Sequence, residues 1–175
     1  MRSPLILVLG GARSGKSSFA LRLAEERWPR PLYLATAEVL DAEMADRVRQ
    51  HRQVRGQRWQ CVEEPLDVAK VLADDSLDCD GILVDCMTLW LSNVILKEGD
   101  AGWESRREAL IKALRDRSRS VILVSNEVGM GIVPENALAR KFRDLAGWLN
   151  QALAAEADTV VFVAAGLPMT LKGGV

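Results

Sequence analysis

Short apolar runs alternate along the chain with longer segments in which apolar residues recur every three or four positions. The runs are continuous, which is typical of strands that are buried on both faces of a parallel sheet. The predicted strands span residues 5–9, 31–35, 81–84, 120–124 and 159–164. The predicted helices span residues 16–28, 41–51, 65–73, 104–117 and 135–157. This order predicts a doubly wound α/β fold with a mostly parallel sheet.

Ligands of such folds bind outside the carboxyl ends of the strands. The residues that directly follow each apolar run are therefore the expected binding positions. Five segments qualify, and they begin at Gly10, Thr36, Asp85, Ser125 and Gly166.

The first of these segments matches the phosphate-binding pattern GxxxxGK[ST]. It reads Gly10-Gly11-Ala12-Arg13-Ser14-Gly15-Lys16-Ser17 and runs directly into a helical pattern. Glycines let the backbone curl so that its N–H groups point at phosphate oxygens, and the helix that follows presents its positive end. Lys16 is expected to bridge the β- and γ-phosphates and Ser17 to bind Mg²⁺, so the motif predicts ATP or GTP as a ligand. Arg13 either adds charge at the rim of this loop or is a solvated surface residue.

A second magnesium ligand is expected at the end of another apolar strand. Asp85 follows the run Ile82-Leu83-Val84, and a carboxylate at such a position usually needs a metal or a partner. The alternative is a helix N-cap, because residues 86–90 resume an apolar pattern with helical spacing.

Composition limits the classes of function. The 175 residues include 23 Lys and Arg against 24 Asp and Glu, so a net charge of −1 offers no field for gathering nucleic acid. The length suits a single domain over residues 1–175. One histidine and three scattered cysteines do not match the ligand spacing of a zinc site, and unpaired cysteines suit a reducing compartment. The first apolar run is too short to span a membrane, so a cytoplasmic protein is expected.

Motifs outside the phosphate loop resemble one family, the bifunctional adenosylcobinamide kinase and adenosylcobinamide-phosphate guanylyltransferase of cobalamin biosynthesis. Two long segments carry most of this resemblance, Val84-Asp85-Cys86-Met87-Thr88-Leu89-Trp90-Leu91-Ser92-Asn93 and Ser125-Asn126-Glu127-Val128-Gly129-Met130-Gly131-Ile132-Val133-Pro134. Further matching segments are residues 10–17, 33–37, 41–44, 47–52, 63–65, 150–151, 157–158 and 166–168. The resemblance therefore covers nearly the whole chain.

The resemblance implies a RecA-like fold, a homotrimer and two reactions. The first phosphorylates the aminopropanol hydroxyl of adenosylcobinamide with ATP or GTP. The second transfers GMP from GTP to that phosphate, releases pyrophosphate and gives adenosylcobinamide-GDP. In such enzymes a histidine carries the GMP covalently, and His51 is the only histidine of this sequence.

The chemistry of His51 is consistent with that role. Neutral imidazole is a nucleophile towards phosphorus, and the resulting phosphoramidate can pass the nucleotidyl group onward. Arginines lie near His51 in the sequence, at positions 47, 49, 52, 55 and 58. They either bind the triphosphate or form a solvated basic face. His51 also shares a predicted helix face with apolar residues, so a buried or helix-capping histidine is the alternative interpretation.

Other positions follow from the resemblance alone. It implies nucleotide contacts at Leu34, Ala35, Thr36, Arg52, Gln53 and Val54. Glu63 is a further candidate for nucleotide binding, since Glu63 and Glu64 are acids that can bind a ribose or a metal. The start of a helix before Pro65 explains acids at these two positions equally well. The segment Ser125-Asn126-Glu127 is expected to meet nucleotide or corrinoid, or else to form an ordinary turn.

Three tryptophans, Trp90, Trp103 and Trp148, are candidates for corrin contact, although their helical spacing favours a core or subunit-interface position. Two other functions remain open at this stage. They are a single-activity phosphate-loop kinase of another small alcohol, and a nucleotide-binding regulatory protein.

Overall fold

The computed structural model describes residues 3–38 and 58–174. Its strands are β1 (Leu5–Gly10), β2 (Pro31–Ala35), β3 (Gln60–Glu63), β4 (Gly81–Asp85), β5 (Ser120–Asn126), β6 (Thr159–Ala164) and β7 (Leu167–Lys172). Its helices are α1 (Lys16–Arg27), α2 (Val68–Leu72), α3 (Met87–Arg115) and α4 (Ala137–Glu156). The predicted helix at residues 41–51 lies outside the described residues.

All seven strands form one sheet in the order β3-β2-β4-β5-β1-β6-β7. Every neighbouring pair is parallel except β6 and β7, which are antiparallel. The prediction of a mostly parallel α/β sheet is therefore confirmed. Because β1 lies between β5 and β6, the loop that follows Gly10 emerges near the middle of the carboxyl edge.

Both faces of the sheet are covered, as the continuous apolar runs predict. In β1, Leu5 and Leu7 belong to the core cluster under α2, α3 and α4. Ile6 and Val8 belong to the opposite cluster, which packs under α1. Alternate residues of one strand thus enter two different cores, and this holds the central strands in a single register.

Two strands were not predicted, and both lie at edges of the sheet. β3 is a short strand whose residues are mostly exposed, and all six residues of β7 are exposed. Edge strands need no continuous apolar run because one side or one face meets solvent. Hydrophobic periodicity therefore carries little signal for them.

α3 is longer than predicted and contains a break. Gly99 has a φ of 66° inside it, a left-handed conformation that favours glycine. The two halves fold back on each other, with the ring centroids of Trp90 and Trp103 6.3 Å apart. Asp100, next to the break, forms an ion pair with Lys141 of α4. In the described part of the chain, no helix is long and apolar enough to cross a membrane.

Candidate functional site

The phosphate loop is a tight turn that only glycine permits at its first position. A Cβ atom on Gly10 would lie 2.5 Å from Ser14 Oγ and 2.6 Å from the carbonyl oxygen of Val163. Gly15 has a φ of 93°, and a side chain there would crowd Gly166 at 3.1 Å. Gly166 N in turn donates to Ser14 O at 2.8 Å. The loop is thereby held against the turn between β6 and β7.

The loop also leaves polar groups without partners inside the protein. Ser14 Oγ is buried and has no hydrogen-bond partner among the described residues. α1 begins at Lys16 without a side-chain cap, so its first backbone N–H groups lack an acceptor within the helix. Buried polar groups in proteins nearly always have a partner, so the unpartnered Ser14 hydroxyl needs one. Phosphate oxygens fit this donor set, since they accept hydrogen bonds and carry the charge that a helix N-terminus favours.

Lys16 extends over the loop with little exposure to solvent. Its residue is 8% exposed, and Nζ donates to Gly11 O at 3.1 Å. Burial lowers the pKa of the Lys16 ammonium, and the nearby charge of Asp85 opposes that shift. An ammonium group has three donors, so two remain for a ligand. A polyphosphate at this position would favour the charged form of Lys16.

Asp85 is the last residue of β4 and lies half-buried at the carboxyl edge. The Tyr33 hydroxyl donates to its Oδ2 at 3.1 Å. Cys86, joined to Asp85 by a cis peptide bond, is the N-cap of α3, and that helix has no side-chain cap. The N-cap alternative for Asp85 is therefore wrong. Its carboxylate lies close enough to Lys16 to raise the pKa of the Lys16 ammonium, against the effect of burial.

A network of side-chain hydrogen bonds braces the carboxyl end of β5 beside the phosphate loop. Thr88 Oγ1 accepts from Asn126 N at 2.9 Å and from Asn126 Nδ2 at 3.0 Å. Asn150 Nδ2 donates to Asn126 O at 3.1 Å, and Ser125 Oγ donates to Asn150 Oδ1 at 2.7 Å. Glu127 N then donates to Gly10 O at 3.0 Å. This network fixes where the segment after β5 leaves the sheet.

Sequence reasoning did not assign a role to Thr88 or Asn150. Both are polar residues on otherwise apolar helix faces, and both are buried. A buried polar side chain needs a hydrogen-bond partner. A polar residue on an apolar helix face was therefore the one sign in the sequence that each of them forms such a bond. The partner itself lies 38 residues from Thr88 and 24 residues from Asn150, and only the fold brings them together.

Three predicted nucleotide contacts, at Leu34, Ala35 and Thr36, lie at the end of β2 and directly after it. Leu34 is fully buried in the core, and Thr36 has no exposed surface. Thr36 Oγ1 donates to Cys86 O at 2.7 Å and accepts from Cys86 N at 2.9 Å. Ala35 lies half-buried at the strand end. Thr36 ties the end of β2 to the residue that follows Asp85, and the nucleotide contacts at these three positions stay predictions.

The two neighbouring acids at the end of β3 have different surroundings. Glu64 Oε1 accepts from Leu66 N at 2.9 Å and from Asp67 N at 2.8 Å, so it closes the turn before α2. Glu63 is the exposed last residue of β3 and pairs in register with Ala35. Glu63 therefore lies at the carboxyl edge, and its predicted nucleotide contact stays a prediction.

Several predicted residues are not described by the structure. His51, Arg52, Gln53 and Val54 lie outside the described residues, as do the arginines at 47, 49 and 55. Among the tryptophans, Trp90 and Trp103 are buried in the core and present no surface to a corrin ring. Trp148 is 59% exposed on α4.

Comparison with known families gives a match over most of the chain. The sequence model of the family described as "Cobinamide kinase / cobinamide phosphate guanyltransferase" matches residues 6–171. A Pseudomonas aeruginosa protein named "Bifunctional adenosylcobalamin biosynthesis protein CobP" is 47% identical over 95% of this chain and 96% of its own length. A Salmonella typhimurium protein named "Bifunctional adenosylcobalamin biosynthesis protein CobU" is 40% identical over 96% of this chain and 99% of its own.

Solved structures with a similar fold include a recombinase and an ATPase. The RadB recombinase superimposes with a TM-score of 0.54 and 17% identity, over 92% of this chain and 75% of its own. An ATPase of a bacterial type III secretion system gives a TM-score of 0.58 and 10% identity, over 95% of this chain and 56% of its own. At these identities the likeness concerns the fold alone, and it confirms the RecA-like type.

Proposed function

Because the chain belongs to the cobinamide kinase / cobinamide phosphate guanyltransferase family, we propose a route by which its own residues carry out both reactions. The chain is a bifunctional enzyme that phosphorylates cobinamide and then transfers a guanylyl group to the phosphate. The alternatives of a single-activity kinase or a regulatory protein are not supported, since the matching relatives are named as bifunctional. The observation that carries the route is the phosphate loop, with its unpartnered Ser14 hydroxyl and buried Lys16.

In the kinase reaction, the phosphate loop would hold the triphosphate of ATP or GTP. The acceptor hydroxyl oxygen attacks the γ-phosphorus, the bond to the β,γ-bridging oxygen breaks, and the hydroxyl proton is released. Lys16 and the first amides of α1 stabilise the negative charge on the transferring group and on the leaving diphosphate. Burial of Lys16 strengthens this interaction because water screens the charges less than at an exposed site.

Mg²⁺ is proposed as the metal of this site, with Ser17 and Asp85 as its protein ligands. The donors fit, because Mg²⁺ prefers oxygen and usually takes only one or two protein ligands beside phosphates and water. No cluster of three or more metal-binding acids, histidines or cysteines occurs in residues 3–38 and 58–174. When bound, the ion would neutralise charge on the β- and γ-phosphates.

For guanylyl transfer, we assign His51 as the nucleophile. Its ring nitrogen attacks the α-phosphorus of GTP, and pyrophosphate leaves with the electrons of the broken bond. A phosphate oxygen of adenosylcobinamide phosphate then attacks the same phosphorus and releases His51. Two steps replace one difficult displacement, and the acceptor phosphate needs no deprotonation at neutral pH. No other histidine in the sequence can take this role.

Labelled GTP tests this route. The wild-type protein, incubated with GTP labelled at the α-phosphorus and no corrinoid, is expected to retain the label after denaturation. A phosphoramidate is labile in acid and stable in alkali, so the bond can be identified by its stability. Addition of adenosylcobinamide phosphate is expected to move the label to the corrinoid. Direct transfer to the corrinoid without any labelled protein would contradict the covalent step and leave the overall reaction intact.

Asp85→Asn is expected to weaken the Mg²⁺ dependence of the kinase reaction. Loss of the carboxylate charge removes one of the two protein ligands, and even outer-shell groups change metal affinity by 10–100-fold. We expect the Mg²⁺ concentration for half-maximal turnover to rise by at least about tenfold. The measurement is a Mg²⁺ titration of initial rates.

Asp78→Asn is the matched control for this titration. Asp78 precedes the same strand at its opposite end and is exposed in an ion pair with Arg30. Its variant should titrate as the wild-type protein does. An unchanged Mg²⁺ requirement in Asp85→Asn would remove Asp85 from the metal site.

The assembly and location remain proposals. We propose the homotrimer that the resemblance implies, in the cytoplasm, with nucleotide and corrinoid as its small-molecule partners and no nucleic acid. An exposed apolar edge supports association between copies. It consists of Leu167, Met169 and Leu171 on β7. Trp148 on α4 is a further exposed apolar side chain. An unpaired edge strand with apolar side chains is a surface that soluble proteins usually cover.

A further inference from the structure

A cavity of about 460 Å³ opens between the first half of α3, the segment after β5 and the start of α4. Its apolar lining includes Ile95, Leu96, Val128, Pro134, Leu138 and Phe142. We name this cavity the apolar pocket. Its size falls within the range of small-molecule sites, and its lining has the mainly apolar character of such sites.

Exposed hydrophobic side chains concentrate around the apolar pocket. Of the ten large exposed hydrophobic residues in the described part of the chain, six lie in its lining or in the segment that joins two lining residues, Val128 and Pro134. Within that segment, Ile132 is 96% exposed and Met130 is 80% exposed. Apolar surface of this kind on a soluble protein marks a binding site.

The apolar pocket is connected to the phosphate loop by direct contacts. Glu127 N donates to Gly10 O, and Glu127 Oε1 accepts from Gly129 N at 2.6 Å. Arg143, which lines the pocket, donates through Nη2 to Gly129 O at 2.7 Å. Three hydrogen bonds therefore join the start of the phosphate loop to the pocket wall.

The orientation of α4 places the pocket on the ligand side of the sheet. α4 runs from the carboxyl edge, where β5 ends, to the amino edge, where β6 begins. Asn150, in the second half of α4, already contacts the carboxyl end of β5. The residues of α4 before it, including Leu138 and Phe142, therefore project past the edge at which the phosphate loop stands.

The pocket also offers polar groups around its apolar lining. Arg143 Nη1 is buried and has no hydrogen-bond partner among the described residues. Ser92 and Asn136 add a hydroxyl and an amide to the lining. A mainly apolar lining that includes a few hydrogen-bonding groups suits a flat macrocycle that carries amide side chains.

We propose that the apolar pocket binds the corrin ring of the acceptor, adenosylcobinamide or its phosphate. The ring rests on the apolar lining, and its peripheral amide oxygens accept from Arg143 and Ser92. The aminopropanol arm then reaches towards the phosphate loop past Glu127. Because both reactions use the same corrinoid skeleton, one pocket serves both, and the inference rests on the bifunctional activity described above.

A second copy of the chain is the competing occupant of this surface. The corrinoid is favoured because the enzyme must hold the acceptor hydroxyl next to the γ-phosphate, and the pocket adjoins the phosphate loop through Glu127. The other exposed apolar group, on β7 and at Trp148, offers a separate surface for association. The pocket thus has the location and chemistry that the acceptor requires.

Leu138→Asp tests the proposal with little risk to folding. Leu138 is exposed and follows the N-cap Asn136 by two positions, where a helix favours a negative charge. Binding of the apolar ring would bury the aspartate charge without a partner, which is costly. The dissociation constant of adenosylcobinamide should therefore rise by at least about tenfold. Equilibrium dialysis measures binding directly, because the corrin absorbs visible light. Leu96→Ser, on α3, should give a weaker effect in the same direction.

Ala137→Asp is the matched control. It adds the same charge on the same helix turn, but Ala137 is exposed and does not line the pocket. All variants should form the guanylyl-enzyme from GTP alone at the wild-type rate, since that step needs no corrinoid. The KM for adenosylcobinamide phosphate in guanylyl transfer should rise together with the dissociation constant of adenosylcobinamide.

Three results would overturn the proposal. Corrinoid binding could be unchanged in both pocket variants, or weakened equally by Ala137→Asp. Light scattering could show that Leu138→Asp lowers the mass of the assembly, which would identify the pocket as an interface between copies. Failure of the wild-type chain itself to bind corrinoid would instead count against the assigned function as well as the pocket.

Discussion

Replacing His51 with alanine is expected to abolish guanylyl transfer and to leave the kinase reaction active. The kinase step uses the acceptor hydroxyl as its nucleophile and needs no protein nucleophile. Guanylyl transfer through a covalent enzyme needs one, so its kcat should fall by at least about 10³-fold. The α-phosphorus label on the denatured protein should disappear. Adenosylcobinamide phosphate should then accumulate when adenosylcobinamide, ATP and GTP are supplied together.

The neighbouring substitution Gln50→Ala controls for disturbance of the segment. It should retain both reactions and the protein label. The assignment of His51 would be wrong if His51→Ala still formed an acid-labile protein label at the wild-type rate. A loss of both reactions in His51→Ala with an unchanged thermal midpoint would mean that His51 acts in a step common to the two.

Lys16→Ala is expected to reduce both reactions. The ammonium is buried over the phosphate loop, where a charge interacts strongly with phosphate oxygens. Removal of one such preorganised group costs roughly 10²–10³-fold in rate in comparable sites. We therefore expect the kcat/KM for ATP in the kinase step to fall by about this factor. Formation of the guanylyl-enzyme should also slow if the same loop holds GTP in the second reaction.

Stability measurements separate a catalytic loss from a folding defect. Burial lowers the pKa of Lys16, so folding disfavours its charged form in the nucleotide-free protein. Lys16→Ala should therefore leave the thermal midpoint of the nucleotide-free protein unchanged or slightly higher. The rise in midpoint on adding nucleotide should shrink, because a ligand stabilises a protein according to its affinity.

Lys112→Ala is the control for the loss of a lysine. Lys112 lies on the second half of α3 in an exposed pair with Asp116, and its side chain is 78% exposed. Both reactions should proceed at wild-type rates in this variant. Wild-type kinase activity in Lys16→Ala would refute the role of the phosphate loop.

Together the two active-site substitutions distinguish the halves of the mechanism. His51→Ala should affect only guanylyl transfer, whereas Lys16→Ala should affect both reactions. If guanylyl-enzyme formation were normal in Lys16→Ala, the two reactions would use separate nucleotide sites.

The sequence alone determined those features that depend on residues close together along the chain. The phosphate loop is one continuous segment, and its glycines, lysine and serine have roles that follow from local backbone geometry. The central strands are buried on both faces, so each appears as an unbroken apolar run. Asp85 could be proposed as a site residue because a carboxylate directly follows such a run. The single histidine could be singled out by counting.

Only the tertiary structure decided which distant residues meet. Thr88, Asn126 and Asn150 form one network although they lie on different elements, and their local patterns give no sign of each other. The Thr36 hydroxyl is hydrogen-bonded to the backbone of Cys86, and this contact depends on the register of β2 against β4. The edge strands β3 and β7 lack the two-sided burial that produces a sequence signal.

The apolar pocket has the same origin. Its lining comes from two helices and a connecting segment, and Leu96 and Leu138 are ordinary leucines in helical patterns when seen in sequence. Helical periodicity indicates which residues share a face, but it does not indicate whether a neighbouring element covers that face. Packing leaves these two residues exposed in the pocket lining, and this placement is one of the observations from which we infer a site for the acceptor.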